Sequence, residues 1–204
     1  MSDTFLDKAY STVGTDATRA LYTDWAKTYD AEVSKNGYAT PGRCADALKT
    51  VTDDFTKAIL DFGCGTGLSG LALSLAGFQT IDGVDLTQEM LERAKEKQFY
   101  RSLRLSDSIA DLPSKLGEYS AVAAIGVIGA GAAPIDVFDM IFNALPRGSH
   151  FVFSFNDHTL EDPIFEARVN AVVSSKQAKL MIEQYGDHLP GLNMKSKVYV
   201  LEKT

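Results

Sequence analysis

The stretch Ile59-Leu60-Asp61-Phe62-Gly63-Cys64-Gly65-Thr66-Gly67 carries the densest chemical signal in the chain. An apolar run ends in a carboxylate, three glycines follow at every second position, and Leu68 to Leu75 then has helical character. The spacing predicts a strand, a tight turn and a helix N-terminus. Glycines at such a turn allow positive φ and a close approach of backbone to a ligand. The helix onset adds unpaired N–H groups and the positive end of the helix dipole, which suits a carboxylate or phosphate. Asp85 and Asp107 close the next two strand-like runs, so three acids come to the ends of three successive strands.

Two ligand classes compete for this turn. Gly65-Thr66-Gly67-Leu68-Ser69-Gly70 satisfies G-x-G-x-x-G, the dinucleotide fingerprint, and Asp85 lies about 20 residues on, where that fingerprint expects an acid. The glycines alone therefore leave an NAD(P)-dependent oxidoreductase open. Asp61, ahead of the first glycine, points the other way: it would repel a pyrophosphate and attract an ammonium.

With that acid, Ile59 to Gly67 resembles the first motif of class I S-adenosylmethionine-dependent methyltransferases, a strand ending D-x-G-x-G-x-G. Leu21 to Asp30 is similar to the aromatic W-A-x-x-Y-D segment of many such enzymes, and Asp107 to Pro113 to their D-A-x-x-L-P segment. Leu145 to Ser149, followed by an apolar strand, resembles their L-x-P-G-G turn. The likeness runs from Leu21 to Lys203, and the chain's ending is similar to small methyltransferase-like proteins of the Williams–Beuren-region type. It implies S-adenosylmethionine as cofactor and S-adenosylhomocysteine as product.

The resemblance also implies roles for particular residues. Asp61, Gly63, Cys64, Gly65 and Gly67 would hold the methionine end, and Tyr29 would reach it from the N-terminal segment. Asp85 would accept both ribose hydroxyls, a natural use of two carboxylate oxygens. Thr87, just beyond it, is a good helix N-cap, which would leave Asp85 free for this. Leu86 and Met90 would wall the adenine, Asp107 would accept from its amino group, and Ser108 and Ile109 would complete that pocket. Gly126, at the end of the fourth strand, would border the same site. His158 follows the fifth strand and is a candidate general base near its unperturbed pKa of about 6.5; Tyr29 is a second catalytic candidate.

The elements that must position these groups are legible as patterns. Leu21, Trp25, Tyr29 and Val33 recur every four residues and predict one helical face. Thr40-Pro41 opens a second helix, with Cys44, Leu48, Val51 and Phe55 apolar. Strands are predicted at 78–86, 100–105, 119–126, 150–155, 177–185 and 195–202, with helices between. With these elements the resemblance implies an α/β architecture: a Rossmann-like, doubly wound, seven-stranded sheet with its last strand antiparallel and helices at the N-terminus. The chain is expected to be one methyltransferase domain over 1–204, with a helical cap segment at 1–56 and a cofactor-binding core at 57–204.

Composition narrows the partners. The 204 residues carry a net charge of −7, with charges interspersed. An acidic surface argues against a nucleic-acid acceptor, because that affinity rests on Lys and Arg neutralising phosphates. No D-P-P-Y or N-P-P-Y motif follows the fourth strand, and Gly129 to Ala133 offers only small residues. A small-molecule acceptor is therefore expected; the bare loop also keeps a non-catalytic S-adenosyl-binding module open. Two distant cysteines, no basic leader and no apolar run near the roughly 20 residues of a membrane helix point to a cytoplasmic protein without a membrane partner. Three scattered histidines give no metal-ligand spacing, and His150 and His188 read as structural.

Overall fold

The computed structural model describes Phe5, Lys8, Ala9, Thr12 and residues 14–108 and 116–204. Five short strands form a parallel sheet: β1 (Ile59–Phe62), β2 (Ile81–Asp85), β3 (Ser102–Leu105), β4 (Ala121–Ala124) and β5 (His150–Asn156). Two longer strands, β6 (Ala178–Leu189) and β7 (Met194–Lys203), complete it in the order β3-β2-β1-β4-β5-β7-β6. β7 is antiparallel to both its neighbours. The fold expectation thus holds. β6 runs to Leu189, past Gly186, so the hairpin turns at residues 190–193 rather than earlier.

Helices α1 (Thr15–Trp25), α2 (Tyr29–Lys35) and α3 (Thr40–Lys49) precede the sheet. The four-residue stripe predicted one helix where two stand. A strict repeat of four drifts about 40° per step around a 3.6-residue helix, and the turn at residues 26–28 resets it. Between the strands lie α4 (Leu68–Ala76), α5 (Gln88–Glu96), α6 (Asp136–Ala144), the single-turn α7 (Asp157–Leu160) and α8 (Pro163–Ser174). Gly77, at φ +112°, ends α4 as a left-handed cap. Asp162 caps α8 through the Ile164 N–H.

Alternation along β5 divides the core. Phe151, Phe153 and Phe155 face α6 and α8 in a phenylalanine-rich layer with Phe138, Phe142 and Phe165. Val152 faces the other way, with Cys44, Leu48 and Leu73 of α3 and α4. Both layers are buried, and truncating one such ring typically costs about 3–5 kcal/mol. Among the described residues no helix is long and apolar enough to cross a membrane.

Candidate functional site

The order of the sheet reverses between β1 and β4, and ligands of open α/β sheets bind at the carboxyl ends of the strands beside that point. A cavity opens there. Its wall includes Gly63, Cys64 and Gly65 after β1, Asp85, Leu86 and Met90 after β2, Ser108 after β3, Gly126 after β4 and Tyr29 from the cap. These nine predicted residues are brought together. Ile109 lies outside the described residues.

The three glycines of the turn differ in what they make room for. Gly63, Gly65 and Gly67 have φ of +69°, +53° and +89°. A Cβ on Gly63 would lie 2.5 Å from Val127 Cγ2, whereas one on Gly65 would meet no atom within 4 Å and would project into open space. Gly65 is therefore the glycine that keeps the cavity clear. Gly70, the third glycine of the dinucleotide fingerprint, makes room for a side chain instead, since a Cβ there would lie 2.4 Å from the Tyr100 ring. Tyr100 fills the groove left by Gly67, Gly70 and Gly83, and its hydroxyl donates to Asp61. The fingerprint is met for packing.

Asp61 does not line the cavity. It is fully buried, and its Oδ2 accepts from Ser69 Oγ and the Tyr100 hydroxyl, each at 2.6 Å. Its Oδ1 is buried with no hydrogen-bond partner. Burial pushes its carboxyl up to about 6, opposed by those two donors and assisted by the charge of Asp85.

Asp85 is less free than the sequence indicated. Thr87 stands at the N-cap of α5, but its side chain caps nothing. Instead Asp85 Oδ1 accepts from the Thr87 N–H at 2.9 Å, and Oδ2 from the Gly65 N–H at 2.8 Å. The acid ties the glycine turn to the next helix and keeps lone pairs on each oxygen. Burial raises its pKa against these backbone donors.

Two expectations are displaced. Asp107 is exposed and off the described cavity wall; its carbonyl accepts from Arg19 Nη2 at 2.9 Å. Ser106 is the buried residue that faces inward, one position earlier. His158 sits in α7, exposed, with Nδ1 3.8 Å from Glu161, and lines neither cavity described here. Cys64 borders the cavity, yet burial holds its thiol far above the ordinary value, so it is no nucleophile.

A second cavity adjoins the first through Tyr22, Tyr29, Tyr38, Gly126 and Ala132. Trp25, Asn156 and His188 add to its wall, and none of its described lining residues carries a charged side chain. Trp25 is also packed with Val33 and Leu189, and its Nε1 donates to Glu32. The sequence reading missed Tyr22, Tyr38, Asn156 and His188 here. Tyr38 stands in a glycine-flanked break and His188 in an apparent turn, and only the folded chain brings them together. Among the described residues no cluster of three or more His, Cys, Asp or Glu could hold a metal ion.

Sheet order, switch-point cavity and glycine turn define the fold of class I S-adenosylmethionine-dependent methyltransferases. Residues 59–148 match the family model described as "Methyltransferase domain". Human methyltransferase-like protein 27 is 32% identical over 131 residues, which is 63% of this chain and 54% of that protein. The 18S rRNA (guanine(1575)-N(7))-methyltransferase of Saccharomyces cerevisiae is 30% identical over 125 residues, 54% of this chain and 46% of that enzyme. The chain thus spans about half the length of these curated relatives. Magnesium protoporphyrin IX methyltransferase from Synechocystis PCC 6803, solved with bound S-adenosylmethionine, has a TM-score of 0.58 at 14% identity, covering 98% of this chain and 90% of that one. Residues 59–148 thus match a methyltransferase domain, and the fold is one shared with S-adenosylmethionine-dependent methyltransferases.

Proposed function

We propose that this protein transfers a methyl group from S-adenosylmethionine to a small-molecule acceptor held in the second cavity. The adjacency of the two cavities carries this reading, since five residues line both and a guest in one would lie directly beside a guest in the other. The same adjacency favours an enzyme over a module that only binds the cofactor.

The first cavity fits the cofactor: the open space before Gly65 and the orphaned oxygen of Asp61 behind the turn are features a cationic, amino-acid-bearing ligand would use. When bound, S-adenosylmethionine supplies a methyl on a cationic sulfonium, displaced by an acceptor nucleophile to leave S-adenosylhomocysteine. In this reading Asp85 accepts from the ribose hydroxyls with the lone pairs its backbone bonds leave. Gly63, Cys64 and Gly65 shape the seat of the methionine end, with Asp61 as the negative charge beneath, while Gly67 is off the described cavity wall and packs against Ala94 and Tyr100. Leu86 and Met90 flank the base, and Ser106 and Ser108 take the edge expected of Asp107. Tyr29 and Gly126 stand where the two cavities meet. Orientation of two reactants can supply about 7–11 kcal/mol, so a general base is not required and His158 has no part.

A second reading, an RNA acceptor, is favoured by the 18S rRNA methyltransferase among the relatives. The net charge of −7 and the uncharged second cavity weigh against it. Cys44 and Cys64, both buried and unpaired, support a cytoplasmic setting.

Titration calorimetry with S-adenosylmethionine, S-adenosylhomocysteine and NADH tests the cofactor. Binding of the first two, weakened about 100-fold or more by Asp85→Ala, is expected; binding of NADH alone would overturn the reading. Methyl-labelled S-adenosylmethionine, offered with a small-molecule extract or with ribosomal RNA, then separates the acceptors. Label in the RNA alone would replace the small-molecule proposal with the second reading.

A further inference from the structure

His188 lies at the end of β6, buried, with its carbonyl accepting from the Ala39 N–H. Its ring packs edge-on against Tyr38 at 5.3 Å and lines the second cavity. Its Nδ1 is 2.8 Å from Thr40 Oγ1, and Thr40 Oγ1 is 2.8 Å from Ser196 Oγ. Arg43 Nη1 lies 3.0 Å from that Ser196 oxygen. Thr40 and Ser196 are themselves fully buried.

Hydrogen-bond direction along this chain is fixed at one end. A guanidinium can only donate, so Ser196 Oγ accepts from Arg43 and passes its own proton to Thr40. Thr40 then donates to His188 Nδ1; the reverse arrangement would leave a buried hydroxyl proton without an acceptor, a costly loss. Nδ1 is therefore the unprotonated nitrogen, and the neutral ring carries its proton at Nε2. That nitrogen makes no hydrogen bond among the described residues. Burial, helped by Arg43 and His158 and opposed by Asp157, pushes the ring down to about 4, so it stays neutral at pH 7.

Asn156 adds a second donor to the same wall. Its Oδ1 is occupied by the Thr159 N–H and hydroxyl, which turns the amide nitrogen into the group left for a ligand. Tyr22, Trp25, Tyr29 and Tyr38 add four rings to the wall, among small and aliphatic residues such as Val33, Ala132 and Leu189. Two N–H donors beside tilted and edge-on rings, with no charged side chain among the described lining residues, select one kind of guest.

We propose that the second cavity takes a planar, uncharged acceptor whose carbonyl oxygen or ring nitrogen is received by His188 Nε2–H, held in that tautomer by the Arg43–Ser196–Thr40 chain. This rests on the methyl-transfer reading and deepens it by naming the substrate class. His188 touches the acceptor; Thr40 and Arg43 are positioning residues. Arg43 also donates to the carbonyls of Gln184 and Asp187, so it holds the hairpin that carries His188.

Trp25 is the sole tryptophan and lines this cavity, so its fluorescence reports occupancy directly. Coumarin, which has a carbonyl, is compared with naphthalene, which has the shape alone, and with 1-naphthylmethylammonium, which adds a cation. Coumarin is expected to bind at least about tenfold more tightly than either. Thr40→Val should keep naphthalene binding, cut the coumarin preference to about twofold, and convert the single Nε2–H tautomer seen by long-range 1H–15N correlation into a mixture. His188→Phe, which retains the ring against Tyr38, should abolish the preference while the fold stays intact by circular dichroism. Equal binding of coumarin and naphthalene, preference for the ammonium, or binding of no probe would each overturn the proposal. The measurement needs no cofactor: a coumarin preference without S-adenosylmethionine binding would sink methyl transfer and keep the cavity assignment, and the converse would sink the assignment alone.

Discussion

The two cavities share a wall but are built in opposite ways. The floor of the first comes from one continuous stretch: the glycine turn, Asp85 and the start of α5 lie within residues 63–90 and brace each other through local bonds such as Gly65 N–H to Asp85. The wall of the second gathers Tyr22, Tyr38, Asn156 and His188 from segments scattered over the whole chain, joined by bonds such as Thr40 to His188 across 148 positions. A contiguous floor keeps its chemistry wherever the motif occurs. A gathered wall depends on the packing of every segment that contributes, which leaves it free to change guest without disturbing the cofactor seat.

The largest effects should come from the floor. Gly65→Leu would put a side chain into the open space before the turn and is expected to weaken S-adenosylhomocysteine binding about 100-fold or more by calorimetry. Its left-handed backbone adds a stability cost of about 1–2 kcal/mol. Gly70→Ala should do the reverse: overpacking against Tyr100 costs about 1–3 kcal/mol in denaturant unfolding with a smaller loss of affinity. Loss of affinity in Gly70→Ala without loss of stability would give the third glycine back to a ligand and erase the division of labour.

A smaller effect separates the buried acid beneath the floor from the acid on it. Asp61 holds its proton in the folded chain up to about pH 6, whereas an unfolded aspartate releases it near 3.9. Between those values the folded state binds more protons, so this group's contribution is greatest at low pH and is lost as pH rises through about 6. The loss is roughly 3 kcal/mol at most. Asp61→Asn should therefore flatten the decline of unfolding free energy between pH 4 and 7.5. Parallel pH profiles for the two proteins would mean that Asp61 is ionised throughout.

How much of this is legible in the sequence follows from the same contrast. The strands and the cofactor floor can be read because each rests on a local pattern: an apolar run, a glycine spacing, an acid at a strand end; the antiparallel β7 is legible only through the family resemblance. Asp61 misleads because a strand alternates its faces and Phe62, not Asp61, borders the cavity; Asp107 misleads because it stands in the bend beyond β3, where Ser106 and Ser108 border the cavity instead. The pair Asp85–Thr87 misleads because a good N-cap residue does not compel a cap: the Thr87 side chain caps nothing, and Asp85 is held instead by the N–H of Thr87 itself. His188 carries no local signal at all. Its meaning comes from Thr40 and Arg43, in a helix that only the completed sheet brings beside the hairpin.

The cap that roofs both cavities should give the smallest effect and the sharpest one kinetically. Asp30 of α2 accepts from Thr66 Oγ1 on the glycine turn and from Lys97 Nζ, the latter at 2.7 Å. Lys97 also donates to the Thr66 carbonyl, so one ammonium clasps the cap and the floor together. The Asp30 side chain is 40% exposed and that of Lys97 20%, so water screens the pair and Lys97→Met should cost less than about 1 kcal/mol. Loosening a roof changes escape more than recognition. In stopped-flow measurements the dissociation of S-adenosylhomocysteine is expected to quicken about two- to fivefold while association stays within error, and added salt should bring the wild type toward the variant. An equal slowing of association would mean that the clasp shapes the floor itself, and the separation between a self-braced floor and a gathered wall would not extend to the cap above them.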